Sequence, residues 1–172
     1  MSSDLLICQL HHPLAPQPLV DSTLVPLDQR WRDQLAQAYL DAYPPGIAAQ
    51  NLGEALQEID STFAGEYGAL RLDASWIAVQ DETAIGAILV VEQSIWDDKL
   101  SGPFIIDLFL TPVSKGRGLG RLLIQTAISS CAHAGDTQLS LHIGEGTSAA
   151  AAHLYASLGF NAADGSSVSG VE

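Results

Sequence analysis

Residues 104–110, FIIDLFL, are apolar at every position but Asp107. A half-buried strand alternates apolar with polar residues, whereas a run without alternation belongs to a strand covered on both faces. That demand points to an α/β chain with helices on both faces of a central sheet. The sequence downstream supplies one such helix. Thr111-Pro112 closes the run and SKGRGLG (114–120) turns the chain. Leu119, Leu122, Leu123, Thr126/Ala127 and Cys131 then recur at helical spacing over about 118–134, until Gly135 stops the helix. QLSLHI (138–143) follows as another strand. A strand-helix-strand unit makes its two strands parallel, joined by a right-handed crossover.

The upstream sequence predicts two helices and a hairpin. Asp28 reads as a cap, and Trp31, Leu35, Ala38, Tyr39 and Ala42 share a helical face until Pro44-Pro45 ends it. Asn51 with Glu54 three residues on resembles a capping box, and Leu52, Leu56, Ile59 and Phe63 line one face of a second helix. SWIAVQ (75–80) and AIGAILVVEQ (84–93) read as strands joined by the turn Asp81-Glu82-Thr83. Leu5–Leu10 and Leu19–Leu27 each read as a strand, on either side of the Pro-rich stretch 13–18. A last helix is expected from about Ser148 to Ser157, ending at Gly159. The expected organisation is an N-terminal extension with an extra strand (1–18), one domain (19–160) and a short tail expected to fray (161–172). At 172 residues, one domain with a full-size core is the expectation.

Charge and cysteine usage narrow the function. Seven Lys and Arg stand against 20 Asp and Glu, a net charge of -13. Nucleic-acid binding, which needs a basic face, is thereby disfavoured. A cationic small substrate would be attracted, though acidic surfaces also serve solubility alone. No apolar run reaches the ~18 residues of a membrane span, and the N-terminal stretch lacks the basic start of a signal peptide. Cys8 and Cys131 have no metal-like spacing, and Cys131 falls on the apolar side of its helix. Two such cysteines fit a reducing, cytoplasmic setting, and no metal site is expected. Adjacent His11 and His12 in a strand would point to opposite faces, which disfavours a shared metal ion.

Against that acidic balance, Lys115, Arg117 and Arg121 cluster on one glycine-rich turn. A helix N-terminus exposes unpaired N–H groups and the positive end of the helix dipole. Glycines at 116, 118 and 120 let a phosphate approach the backbone. The turn matches neither GxxxxGK[ST] nor the dinucleotide pattern GxGxxG. Alone, it is equally a turn that seats a helix on a sheet.

Two motifs together carry a resemblance. IDLFLTPVSKGRGLGRLLIQTAI is similar to the cofactor segment of the GNAT superfamily of N-acetyltransferases, with Lys115, Gly118 and Gly120 in the places of [Q/R]-x-x-G-x-[G/A]. Ser148-x-x-Ala151-x-x-Leu154-Tyr155-x-x-x-Gly159-Phe160 matches the family's second signature at every anchor but its first, usually Asn. The resemblance spans about 19–160 and implies the acyl-CoA N-acyltransferase fold, a mixed sheet with helices on both faces. It further implies that acetyl-CoA lies between splayed strands 104–111 and 138–143. The backbone of Leu108, Phe109 and Leu110 would hold the pantetheine arm and orient the acetyl carbonyl for attack. The loop Lys115, Gly116, Arg117, Gly118, Leu119, Gly120 and Arg121 would hold the pyrophosphate. The acetyl group would pass directly to the amine, without a covalent enzyme intermediate.

Carried over residue by residue, the resemblance makes Tyr155 the general acid for the departing thiolate, though a packed aromatic suits its place too. His142 falls where some relatives carry a basic carboxylate, but the spacing from Ile143 to Ser148 is one residue longer than the family's usual one, which leaves a solvent-facing strand histidine in play. Asp107 is the other candidate, because a carboxylate in an apolar strand needs a partner: substrate amine, structural donor or water. Glu145 is a third candidate, from its loop. Tyr39, Tyr43 and Phe63 are weighed as pocket lining against core, and Trp96-Asp97-Asp98 as acceptor loop against plain surface loop.

Two departures from the family follow. Ser148 in place of Asn reaches less far toward the pantetheine, although it caps a helix equally well. Relatives usually add a two-strand hairpin after Gly-Phe, and only 12 residues follow Phe160. The last strand would then be covered by segment 5–11, by a second copy in a homodimer, or by nothing. The implied activity is acetyl-CoA-dependent N-acetylation of a small, amino-acid-like or cationic amine. A protein N-terminus or lysine acceptor, transfer to a hydroxyl or of a longer acyl group, and a non-catalytic acyl-CoA sensor remain open.

Overall fold

The computed structural model describes residues 4–10, 23–144 and 147–163. His11, His12 and Glu145 lie outside them. The elements are β1 (Leu5–Gln9), β2 (Thr23–Pro26), α1 (Arg32–Ala42), α2 (Leu52–Phe63), β3 (Trp76–Gln80), β4 (Thr83–Val91), β5 (Phe104–Leu110), α3 (Leu119–His133), β6 (Gln138–His142), α4 (Ala149–Ser157) and β7 (Phe160–Ala162). One seven-stranded sheet runs in the order β2-β3-β4-β5-β6-β1-β7. The β5–β6 pair is parallel and the other pairs are antiparallel.

The unbroken apolar character of β4 and β5 is explained by their place in mid-sheet. On one face, Leu119, Leu123, Ile124, Ala127 and Cys131 of α3 pack with Ile88, Val90, Ile105, Leu139 and Leu141. On the other, Leu35, Tyr39, Ala55 and Ile59 of α1 and α2 pack with Ile77, Ala87, Leu89 and Phe109. Each leucine, isoleucine, valine or phenylalanine among them contributes about 1.5–3 kcal/mol when fully buried. Cys131 is fully buried, and desolvation pushes its thiol up to about 12, so it is an inert core residue.

Caps expected from sequence hold the helix starts. The Asn51 side chain accepts from Glu54 N–H (2.9 Å) at the head of α2, and Ser148 accepts from Ala151 N–H (3.0 Å) at the head of α4. The Glu54 carboxylate reaches Gln50 N–H (2.8 Å), one residue before the place a capping box would use. Asp28 accepts from Arg30 N–H (2.8 Å) and caps a single 3-10 turn (Gln29–Trp31) that runs on into α1.

Several boundaries differ from the sequence expectation, each for a physical reason. The β3–β4 turn is two residues, Asp81 (φ 51) and Glu82 (φ 63), with Thr83 already in β4; positive φ at both central residues matches the right-handed twist of a hairpin. Of the strand expected over 19–27, the described part is β2 alone. The segment expected to fray from 161 begins as strand instead: Asn161 and Ala162 complete β7, held by pairing with β1 and by burial of Phe160 and Ala162. Of the three ways to cover β6, the first is seen. β1 pairs with β6 from Leu5↔His142 to Gln9↔Gln138 and carries β7 on its other side. An N-terminal strand and a three-residue strand thus lie beyond β6, in the place the resemblance gives to a C-terminal hairpin.

One close approach fixes the geometry of β5. A Cβ added to Gly86 in β4 would lie 2.5 Å from the Phe109 carbonyl oxygen and 2.5 Å from Leu110 Cδ2. The carbonyl belongs to the backbone and cannot swing aside. Gly86→Ala is therefore expected to cost about 1–3 kcal/mol by overpacking, read as a lower midpoint in urea.

Candidate active site

The β5–β6 ladder is short. It pairs Phe104↔Ser140 and Ile105↔Leu141 and then ends, while β5 runs on to Leu110. Beyond Ile105 the two strands diverge, and a cleft of about 1130 Å³ opens between them. Its walls come from β5, the turn before α3, the end of β6, α4 and the end of α1.

A bulge in β5 aims the carboxylate. Leu89 pairs with Asp107 but Val90 with Ile105, so Ile106 is the extra residue. A bulge re-aims the side chains beside it. Here Asp107 and Phe109 lie on the α1/α2 side, and Leu108 and Leu110 contact the α3 core. Tyr43, just past the end of α1, donates its hydroxyl hydrogen bond to Asp107 Oδ1 at 2.5 Å. Burial raises the Asp107 carboxyl to about 6; the Tyr43 hydroxyl and the Leu108 N–H pull against that rise, and the charge of Glu58 adds to it. The Tyr43 phenol itself is pushed well up by burial and by Asp107, so it stays protonated as the donor.

Tyr155 faces the same cleft from α4. Its ring packs edge-on against Phe160, with centroids 5.8 Å apart at 67°. Among the described residues its hydroxyl has no hydrogen-bond partner. Burial, then the nearby Asp107 charge, hold the phenol protonated far above neutral pH. The packed-aromatic and cleft-facing readings of Tyr155 are therefore both true.

The glycine turn meets the cleft at the head of α3. Gly118 (φ 83) is the N-cap residue and offers no side chain to the helix end. The helix's first hydrogen bond is Leu122 N–H to the Gly118 carbonyl at 3.0 Å. Among the described residues, the N–H groups of Leu119, Gly120 and Arg121 have no backbone acceptor, as an anion site requires. A Cβ on Gly116 (φ 77) would meet open space, so its glycine answers to backbone conformation. Gly120 differs: a Cβ there would lie 3.3 Å from Leu154 and 3.6 Å from Leu110, so its small size lets α3 sit close under α4 and β5.

These observations decide the family. The pattern of the Acetyltransferase (GNAT) family matches residues 32–160, most of the chain. The chain belongs to the GNAT acetyltransferase family. No protein of curated function matches it by sequence. Among solved structures it is similar to a GCN5-related N-acetyltransferase from Sphaerobacter thermophilus (17% identity, TM-score 0.67), covering 92% of this chain and 47% of that one. The chain thus spans about half the length of that relative. It is also similar to the ribosomal-protein-S18-alanine N-acetyltransferase of Escherichia coli (21%, TM-score 0.61, 81% and 77% covered). A third is an aminoglycoside N-acetyltransferase in complex with CoA (15%, TM-score 0.60, 85% and 91% covered). At these identities the likeness is one of fold.

Within the GNAT frame, the cleft brings together Tyr155, His142, Asp107, Leu108, Phe109, Leu110, Lys115, Gly116, Gly118, Leu119, Gly120, Arg121 and Ser148. Arg117 stays outside: its guanidinium donates to Gln80 Oε1 (3.1 Å) at the end of β3. Leu119 and Phe109 have buried side chains, leaving their backbone for any ligand. The Ser148 oxygen accepts from Ala151 N–H, leaving its own proton to donate. His142 is exposed at the end of β6, on the Phe104 side. Tyr39 is a core residue and Phe63 packs partly buried against that core, whereas Tyr43 lines the cleft. The Tyr43–Asp107 bond was not readable from spacing; the signal was a lone carboxylate in an apolar strand and a tyrosine just before Pro44. Among the described residues no three His, Cys, Asp or Glu side chains cluster as a metal site, and no helix is long and apolar enough to cross a membrane.

The residues present fit a CoA thioester: orphan amides and two cations for its phosphates, a strand edge left without a β6 partner among the described residues for its amide arm, and a protonated phenol facing the strand divergence. Lys115 and Arg121 line the cleft, and neither forms an ion pair among the described residues. Arg121→Glu is expected to weaken CoA binding by about tenfold or more at low salt. Arg117→Glu should weaken it far less, because that charge is tethered off the cleft. Calorimetric titration with CoA at two salt concentrations checks the pair.

Proposed function

We propose that the protein transfers the acetyl group of acetyl-CoA to the primary amine of a small molecule. The observation that carries this reading is the juxtaposition of Asp107 and Tyr155 in the opening where β5 and β6 diverge. Acetyl-CoA supplies an activated acyl group; what remains is to deprotonate the amine, hold the carbonyl and protonate the departing sulfur. Asp107, poised near neutral pH, takes the proton from the incoming ammonium. The Tyr43 hydroxyl keeps that carboxylate fixed and ionised. The β5 backbone beyond Ile105, with no strand partner on its β6 side, offers N–H groups to the carbonyl and the amide arm. The Tyr155 hydroxyl, protonated and without a hydrogen-bond partner among the described residues, gives its proton to the sulfur. As the intermediate collapses the nitrogen sheds its second proton, which restores the Tyr155 phenol, and Asp107 releases the proton it took to solvent through the open cleft, so one proton leaves per turnover.

The Tyr43 bond favours Asp107 over His142 as the base, since it orients the carboxylate and tunes it. Tyr43→Phe removes a contact that lowers the Asp107 pKa. The acid limb of kcat/KM should therefore move to higher pH, and activity at pH 6 should fall several-fold more than activity at pH 8. A pH profile of thiol release for the two proteins tests this. An acid limb at the same place in both would remove Asp107 from the role.

A further inference from the structure

A second cavity of about 470 Å³ adjoins the cleft, lined by Trp96, Asp97, Phe104, Ile105, Ile106 and His142. Ile105, Ile106 and His142 line both spaces, so the two adjoin at these residues. The second lies on the Phe104 and His142 side of the sheet, away from the α3 glycine turn. We propose that it holds the distal end of the acceptor, and that this end carries a second positive charge. The inference rests on the transferase reading above and deepens it: the acceptor class would be a diamine or an amine bearing a second cationic group.

Three observations point to a cation. Trp96 is 59% exposed in a fixed place: its ring stacks near-parallel on Tyr67 (6.4 Å, 18°) and tilts against Phe104 (5.9 Å, 48°). A large aromatic held open to solvent presents its quadrupole to a cation, and indole is the strongest such face among side chains. Asp97 lines the same cavity. One of its oxygens accepts from Lys99 N–H (3.0 Å), and among the described residues it forms no salt bridge. The cavity's surroundings are acidic: Glu58 bonds the Tyr67 hydroxyl (2.9 Å), and Asp98 follows Asp97. Lys99 is the one basic residue of that loop and lines neither space. A net charge of -13 adds a long-range pull in the same direction.

The strand sets a length. Phe104 and Asp107 lie opposite Val91 and Leu89 because of the bulge, a span of about 7 Å along the strand, and the Trp96 ring centroid is 5.9 Å from that of Phe104. The best acceptor should then carry its second nitrogen about 10 Å from the reacting one.

The test compares diaminoheptane, diaminopropane and heptylamine as acceptors, with wild type, Trp96→Leu and Asp97→Asn. Calorimetric titration of each amine into the protein–CoA complex runs alongside. Diaminoheptane is expected to have the lowest KM, and either substitution to raise the diaminoheptane-to-heptylamine KM ratio about tenfold. CoA affinity, from a separate titration of CoA into each variant, reports whether it is folded. If heptylamine is acetylated as well as diaminoheptane, or the ratio is unmoved by both substitutions, the subsite is wrong and the transferase reading stands. If no amine is turned over but diaminoheptane binds and both substitutions weaken it, the subsite stands and the transferase reading fails. If no amine is turned over and diaminoheptane does not bind, both are overturned.

Discussion

Asp107→Asn is expected to lower amine-dependent acetyl transfer by about 10²–10⁴-fold while making the protein more stable at neutral pH. The first effect follows from removing the carboxylate that Tyr43 holds in place at the strand divergence. The second follows from linkage. Burial raises the folded carboxyl to about 6 from an ordinary 3.8. Between those values the folded state binds more protons than the unfolded one, so stability falls as pH rises through that window and stays low above it. The ionised carboxylate then lowers stability at pH 7 by roughly 2 kcal/mol, after allowing for its partial exposure to the cleft. An amide of the same shape carries no charge and still accepts from Tyr43. The gain should appear as a melting temperature higher by roughly 5 °C at pH 7, shrinking to nothing near pH 4. A carboxylate retained at a stability cost, in a cleft, is the signature expected of a working group.

Tyr155→Phe is the second large effect. Losing the hydroxyl should reduce kcat by about 10²–10³-fold, with CoA affinity little changed, because the proton is needed only as the sulfur departs. The fold should survive, since the ring contact with Phe160 does not involve the oxygen. A parallel loss of CoA binding would instead mark Tyr155 as a packing residue. A thioester with a more acidic thiol should recover part of the lost rate, since its leaving group needs the proton less.

The parts of the fold that were legible in the sequence are those set by local chemistry. β5 announced itself by lacking alternation, α3 by its apolar spacing and its glycines, and α2 and α4 by Asn51 and Ser148, whose side chains cap them. The cleft was legible only through the resemblance, because the splay of two strands leaves no periodic trace. What stayed hidden is long-range or depends on a single residue. Nothing in LLICQ says that β1 inserts between β6 and β7, since strand pairing is chosen by the whole sheet. The bulge at Ile106 looks like one more apolar residue, yet it directs Asp107 toward Tyr43, 64 positions earlier. The roles of Gly120 and Arg117 divided only once their neighbours were seen: Leu154 and Leu110 for the one, Gln80 for the other. The Tyr67–Trp96–Phe104–His142 series joins four segments and could not be assembled from spacing.

The most direct test of the account is thiol release from acetyl-CoA by the purified chain at pH 7, with and without a primary amine, for wild type and Asp107→Asn. The account predicts release that requires the amine and is lost in the variant while acetyl-CoA still binds. Release that persists unchanged in Asp107→Asn, or an acetyl-CoA that does not bind the wild-type chain at all, would contradict it.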